Sequence, residues 1–167
     1  MKALVKFAKV KEGAKIPSKR DEDAGYDIYA CLDDDVDWIK ILPHHSELIP
    51  TGIASAFDKQ WGFVLRERGS TGVKNMKINA GVIDSGFRNE WFVSLYNGND
   101  VPVYIAKYLN GEQSPEDYDA IIYPHTKAIA QALLIEVPET EVEEISYEEL
   151  KDIESERGMG MIGSSNK

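Results

Sequence analysis

Asn79-Ala80-Gly81-Val82-Ile83-Asp84-Ser85-Gly86-Phe87-Arg88-Asn89-Glu90 runs from a β-forming Val-Ile pair into a carboxylate, then through a Gly-containing turn to an aromatic ring. This order predicts a β-hairpin with Asp84 and Phe87 at its mouth. Gly81 and Gly86 carry no side chain, so the backbone would lie close against a small planar ligand. A carboxylate at that mouth orients a water or a sugar hydroxyl, while the ring closes one face of a sugar. A purely structural hairpin with an Asp near its turn satisfies the same pattern, so the surrounding chain decides the meaning.

Outward from this stretch, short β-type runs recur between turn signals, at residues 4–10, 48–56, 62–66, 78–83, 91–96, 101–108 and 128–137. Many short strands at this spacing predict an all-β sandwich, barrel or jelly roll. One helix is expected near the C-terminus. Ser146-Tyr147-Glu148-Glu149 fits a capping box, Leu150 and Ile153 are expected to face inward, and Gly158 to end the turn. The polar, turn-rich stretch at about 108–120 reads as an excursion from the sheet. No repeat or Pro/Ser-rich linker divides the 167 residues, so one domain is expected, with a mobile C-terminal arm at about 157–167.

The composition is that of a globular protein, 43% hydrophobic and 29% charged. No apolar run approaches the roughly 20 residues needed to span a membrane, and residues 1–7 lack the longer apolar core of a signal peptide. The single cysteine, Cys31, excludes an intramolecular disulfide and reads as a reduced thiol, which points to a cytoplasmic protein. The three histidines offer no metal-ligand spacing. A net charge of −10 argues against nucleic acid as the main partner, because that binding needs clustered cations on phosphates. Between residues 66 and 77, however, Arg66, Arg68, Lys74 and Lys77 face only Glu67, a basic island in an acidic chain.

Within that island Arg68-Gly69-Ser70-Thr71-Gly72-Val73-Lys74 joins glycines, hydroxyls and cations, the donor set a polyphosphate requires. A charged turn or the start of a short helix fits it equally, and the Gly-Lys-Ser/Thr order of a Walker loop is absent. Asp27 in Ala24-Gly25-Tyr26-Asp27-Ile28 is either a turn carboxylate or a holder of a Mg²⁺ water. Gln131, in the buried-strand pattern 129–135, must be hydrogen-bonded, to neighbouring backbone or to a ligand. The terminal Arg157-Gly158-Met159-Gly160-Met161-Ile162-Gly163-Ser164-Ser165 is either a simple glycine-rich end or an arm that closes over phosphates.

Taken in order, Ala-Gly-Tyr-Asp, Arg…Ser…Lys, Gly-Val-Ile-Asp with an aromatic three residues on, Ile-Ala-Gln, and a terminal Arg-Gly…Gly-Ser-Ser resemble the motifs of the trimeric dUTPases. The resemblance spans about Asp23 to Ser165 and includes Ile49-Pro50-Thr51-Gly52-Ile53-Ala54, similar to the family's strand before its phosphate motif. It implies a β jelly roll forming a homotrimer, with active sites at subunit interfaces that draw on all three chains. It implies hydrolysis of dUTP to dUMP and pyrophosphate by Mg²⁺-assisted attack of water on the α-phosphorus. In that scheme the stretch from Asn79 through Gly81 to Phe87 binds uracil and deoxyribose, with Asp84 as the catalytic carboxylate and Phe87 against the sugar. Arg68, Ser70, Gln131, Arg157, Ser164 and Ser165 hold the phosphates, Gly69 and Gly163 belong to the substrate-binding set, Ile162 lies over the base, and Asp27 contacts the metal through water.

The chain departs from the family pattern at several positions. Phe87 stands for a Tyr, Gly69 for a Ser, Ala128 for an Arg, Asn89 for a Gly, Met161 for a Gly, and Ile162 for the Phe that stacks on uracil. The segment between Asn97 and Gln131 is longer than usual, similar to bacteriophage-type members. Two other readings share the resemblance: a dCTP deaminase-related enzyme, and a nucleotide-sensing binding module that docks a protein partner through the 108–120 excursion.

Overall fold

The computed structural model describes residues 2–107, 119–156 and 158–160, and the chain divides into two compact units, Met1–Val137 and Pro138–Lys167. The first unit is built from strands. β1 (Val5–Lys9) pairs with β5 (Ile53–Phe57); β3 (Trp38–Ile41) and β11 (Ile121–Pro124) flank β10 (Val103–Ala106); β4 (Ser46–Pro50) and β7 (Met76–Ile78) flank β9 (Phe92–Asn97). The sheet that matters most for function has the order β2–β12–β6–β8, from β2 (Gly25–Tyr29), β12 (Ala128–Glu136), β6 (Trp61–Arg66) and β8 (Val82–Ile83). All pairings are antiparallel except β10 with β11. This is the expected all-β architecture.

One core is shared by all four sheets, since Ile53, Ile105, Phe63, Ala130, Val93 and Met76 are buried in a single cluster. Aromatic rings fix its centre. Phe63 lies 5.3 Å from both Phe57 and Trp91 in edge-to-face geometry, the arrangement ring quadrupoles favour. β12 explains its own apolar sequence: it is paired on both edges, and Ala128, Ile129, Ala130 and Ala132 are buried.

Two expected runs are broken, each at a left-handed residue. The 48–56 run becomes β4 and β5 because Gly52 sits at φ +67°, where a Cβ would fall 2.8 Å from that of Ala14. The 78–83 run becomes β7 and β8 around Ala80 (φ 62°) and Gly81 (φ 119°). The expected hairpin is therefore not a hairpin. β7 pairs with β9 and β8 with β6, so the chain crosses from one sheet to another, and only the Asp84–Phe87 turn remains, closed by Phe87 N–H donating to the Asp84 carbonyl at 3.1 Å.

In the second unit α2 (Tyr147–Asp152) begins with the predicted capping box. Glu149 N–H donates to Ser146 Oγ at 3.2 Å, and Ser146 N–H donates to Glu149 Oε2 at 2.8 Å. Leu150 and Ile153 do not face inward; they are 54% and 60% exposed, because a six-residue helix in a short unit has no core of its own to enter. The helix ends before Ile153 rather than at Gly158, which occupies a separate turn on the Ser155 carbonyl. The first unit holds the other described helix, α1 (Gly69–Gly72), which answers the alternative left open for the Arg68–Lys74 stretch.

Candidate active site

The central sheet sets the site by register. Gln131 on β12 lies opposite Asp27 on β2 and opposite Arg66 on β6, so residues far apart in sequence form one cross-strand row. β6 ends at Arg66, and the chain turns two residues later into α1, which presents Arg68, Gly69 and Ser70 beside that row. Asp27, Arg68, Gly69, Ser70 and Gln131 line one groove of about 740 Å³.

The side chains there are mutually held. Arg68 donates to both carboxylate oxygens of Asp27, Nε to Oδ1 at 2.9 Å and a terminal nitrogen to Oδ2 at 3.4 Å, with each side chain one-third exposed. Ser70 Oγ stands 3.5 Å from an Arg68 guanidinium nitrogen and 3.4 Å from the Tyr123 hydroxyl, which itself donates to the Ala128 carbonyl at 2.7 Å. Gln131 Nε2 donates to the Glu67 carbonyl at 2.8 Å, so the backbone satisfies it as one alternative anticipated. The two hydroxyls of α1 divide: Ser70 faces the groove, whereas Thr71 is buried and bonds both the N–H and the carbonyl of Arg68. Glu67 braces the same loop by accepting from Ile78 N–H at 3.0 Å, and that bond holds its carboxyl below the usual range.

Of the four basic-island residues only Arg68 lines this groove. Arg66 lies 3.5 Å from Glu67. The other groove cations, Lys19 and Arg20, come from the turn before β2. Neither they nor Tyr123 were foreseen: a Lys-Arg pair in a charged stretch and a tyrosine in a short strand have no distinctive pattern.

Gly81, Asp84 and Phe87 meet at a second, smaller concavity of about 230 Å³, completed by Val82, Ile83, Glu90 and Phe92. Asp84 is exposed and Phe87 is 40% exposed. Arg88 clamps the turn from behind, bonding the Ser85 and Phe87 carbonyls. Gly81 is needed for its positive φ and because a Cβ would lie 2.9 Å from that of Leu65, whereas nothing lies within 4 Å of a Cβ at Gly86. Asn79 stands apart, its side chain donating to Ser46 Oγ at 2.8 Å. Among the described residues the two concavities share no lining residue. Arg157, Ile162, Gly163, Ser164, Ser165 and most of the 108–120 excursion lie outside the described residues.

Among the described residues no three His, Cys, Asp or Glu side chains cluster as a metal cage. Asp27 fits the other mode, in which Mg²⁺ keeps its waters and takes one carboxylate together with substrate phosphates. The described helices include none long and apolar enough to cross a membrane.

An arginine fork, a hydroxyl and an amide meet at one groove of an all-β unit. The comparisons identify the family. The dUTPase family model matches residues 11–109, and the chain belongs to that family. A deoxyuridine 5'-triphosphate nucleotidohydrolase of Leptospira interrogans is 33% identical over 55% of this chain; the match spans 64% of that relative, less than two thirds of its length. One from Wolbachia pipientis is 31% identical over 99% of this chain and 97% of its own. Two solved structures share the fold. The Staphylococcus bacteriophage 80alpha dUTPase with dUpNHpp has a TM-score of 0.76 at 20% identity, covering 98% of this chain and 99% of that one. A dUTPase mutant from phage phi11 of S. aureus, solved with a structural Mg(II) ion, has a TM-score of 0.68 at 18% identity, covering 87% and 99%.

Proposed function

We propose that this chain hydrolyses dUTP to dUMP and pyrophosphate, acting as a homotrimer with Mg²⁺. The observation that carries the reading is the convergence of Asp27, Arg68, Ser70 and Gln131 in one groove, four residues drawn from three segments that the family resemblance assigns to phosphate and metal. Arg68 and Ser70 bind phosphate oxygens by charge-assisted and hydroxyl hydrogen bonds. Tyr123 orients Ser70, and the Gln131–Glu67 contact fixes the amide. Asp27 would hold Mg²⁺ through water. Mg²⁺ supplies charge neutralisation on the triphosphate, without which an oxygen nucleophile would be repelled.

At the second concavity Asp84 touches the sugar hydroxyl and takes the proton of the attacking water, while Phe87 packs where a ribose 2′-hydroxyl would need space. In the homotrimer that the family resemblance implies, a complete site takes Asp84 from one copy and Arg68 from another. Arg157, Ser164 and Ser165 of the arm add phosphate contacts, and Ile162 covers the base as an aliphatic lid. Asp84→Asn tests the assignment. It should still bind a non-hydrolysable dUTP analogue while pyrophosphate release falls by at least about 10²-fold, the contribution of a positioned base. Turnover equal to wild type would refute the role.

A further inference from the structure

The phosphate groove holds cations that the family motifs do not account for. Ser18, Lys19, Arg20 and Asp23 form one of its walls, on the turn that precedes β2. This turn is a fixed piece of structure. Asp27 N–H donates to the Ser18 carbonyl at 2.9 Å, Asp23 N–H to the Arg20 carbonyl at 3.1 Å, and Arg20 grips Asp23 with two guanidinium bonds of 2.9 Å each. The turn is thereby tied to the strand that carries Asp27.

Charge within the groove is unevenly spent. Arg20 is matched by Asp23, and Arg68 by Asp27. Lys19 is matched by neither. Its ammonium donates to the backbone carbonyls of Arg20 at 3.2 Å and Asp23 at 2.7 Å, and stands 5.7 Å from the centre of the Tyr26 ring. Among the described residues it makes no ion pair with a carboxylate, although Glu22 and Asp23 line the same groove. An ammonium has three donors. Two go to the Arg20 and Asp23 carbonyls of the groove wall, which leaves one donor for an anion.

We propose that Lys19 is a specificity-determining phosphate ligand, binding the part of a polyphosphate that leaves as pyrophosphate. It thereby favours a triphosphate over a monophosphate in the site whose function is proposed above, and rests on that reading. A point charge on a flexible stem suits this task, because the leaving group shifts as the bond to the α-phosphorus lengthens. Since Lys19 touches the portion lost in the reaction, it would discriminate substrate from the dUMP product.

The test compares wild type, Lys19→Met and Lys19→Arg by titration calorimetry with inorganic pyrophosphate in the presence of Mg²⁺, and with dUMP. Lys19 is exposed, so both variants should fold, and thermal melting checks that. Lys19→Met should weaken pyrophosphate binding about tenfold, the scale of one charge-assisted bond at an accessible site, and leave dUMP affinity within about twofold. Lys19→Arg, which keeps the charge, should recover most of the loss. In turnover, KM for dUTP should rise more than kcat falls. Unchanged pyrophosphate binding by Lys19→Met, or equal weakening by both variants, would overturn the proposal. A wild type that bound pyrophosphate and lost it on Lys19→Met, yet turned over no dUTP, would sink the enzyme reading and leave Lys19 as an anion ligand.

Discussion

Gly25→Ala should damage both stability and turnover through a contact that runs across two strands. Gly25 on β2 lies opposite Leu133 on β12, and an alanine Cβ there would fall 2.7 Å from Gln131 Oε1, 3.0 Å from Gln131 Cβ and 3.2 Å from Gln131 Cδ. The amide end can swing aside, but Gln131 Cβ is fixed to its backbone, so β2 and β12 must part. Overpacking of this kind costs about 1–3 kcal/mol. A displaced Gln131 also loses its 2.8 Å bond to the Glu67 carbonyl, worth about 1 kcal/mol net. Together these give a loss of about 2–4 kcal/mol, read by urea denaturation at fixed protein concentration, and a fall in kcat/KM for dUTP. The decisive measurement is the double variant. In a Gln131→Gly background the three nearest contacts of the alanine are gone, so its cost should shrink by at least about 1 kcal/mol. An equal cost in both backgrounds would show that the strain lies elsewhere and refute the packing account.

Two further predictions concern positions around the site. Gly81→Ala, at φ 119° with Leu65 behind it, should destabilise by at least about 1 kcal/mol and reshape the Asp84 concavity, whereas Gly69→Ala, with nothing within 4 Å, should be neutral or stabilising by up to about 1 kcal/mol; thermal melting of the two variants checks the contrast. Glu67 has its folded carboxyl held below the ordinary 4.5 by the Ile78 N–H bond, so its stabilisation is fully present above that value and is lost as pH falls through the lower folded one. Wild-type stability should therefore drop more steeply than that of Glu67→Gln as the medium is acidified below about pH 4.5, and parallel profiles would contradict this.

The sheet was legible where a strand's own residues carry its periodicity. β1, β6 and β12 stand close to where alternation or an apolar run puts them. β2, β3 and β11 escaped. Gly25-Tyr26-Asp27-Ile28-Tyr29 opens on a glycine and spends a position on Asp27, and its strand character comes from β12, about a hundred residues away. The 48–56 and 78–83 runs each hide a break: Gly52 and the Ala80-Gly81 pair adopt positive φ, and although a glycine permits that, the apolar residues on either side mask it in the pattern. For the site, the ordered motifs brought Asp27, Arg68, Ser70 and Gln131 into view together, and the register explains why they meet. Local sequence was silent on Tyr123, Glu67 and Lys19, whose roles depend on what lies across the groove.

The Asp27–Arg68 pair shows how magnitudes settle the order of events on substrate binding. In the chain by itself the two side chains satisfy each other. At one-third exposure, however, such a pair contributes only about 0–1 kcal/mol, since solvent screens it and two side chains must be held in place. In the complex proposed above, a triphosphate would offer the same guanidinium more negative charge than one carboxylate, in bonds of the same charge-assisted class. On the reading proposed above, exchange of Asp27 for phosphate would be favourable and would free the Asp27 carboxylate to hold a metal ion through water. The pair would then serve as a placeholder: it keeps Arg68 in one orientation, where a bare arginine would sample many rotamers, and would yield once a stronger anion arrives.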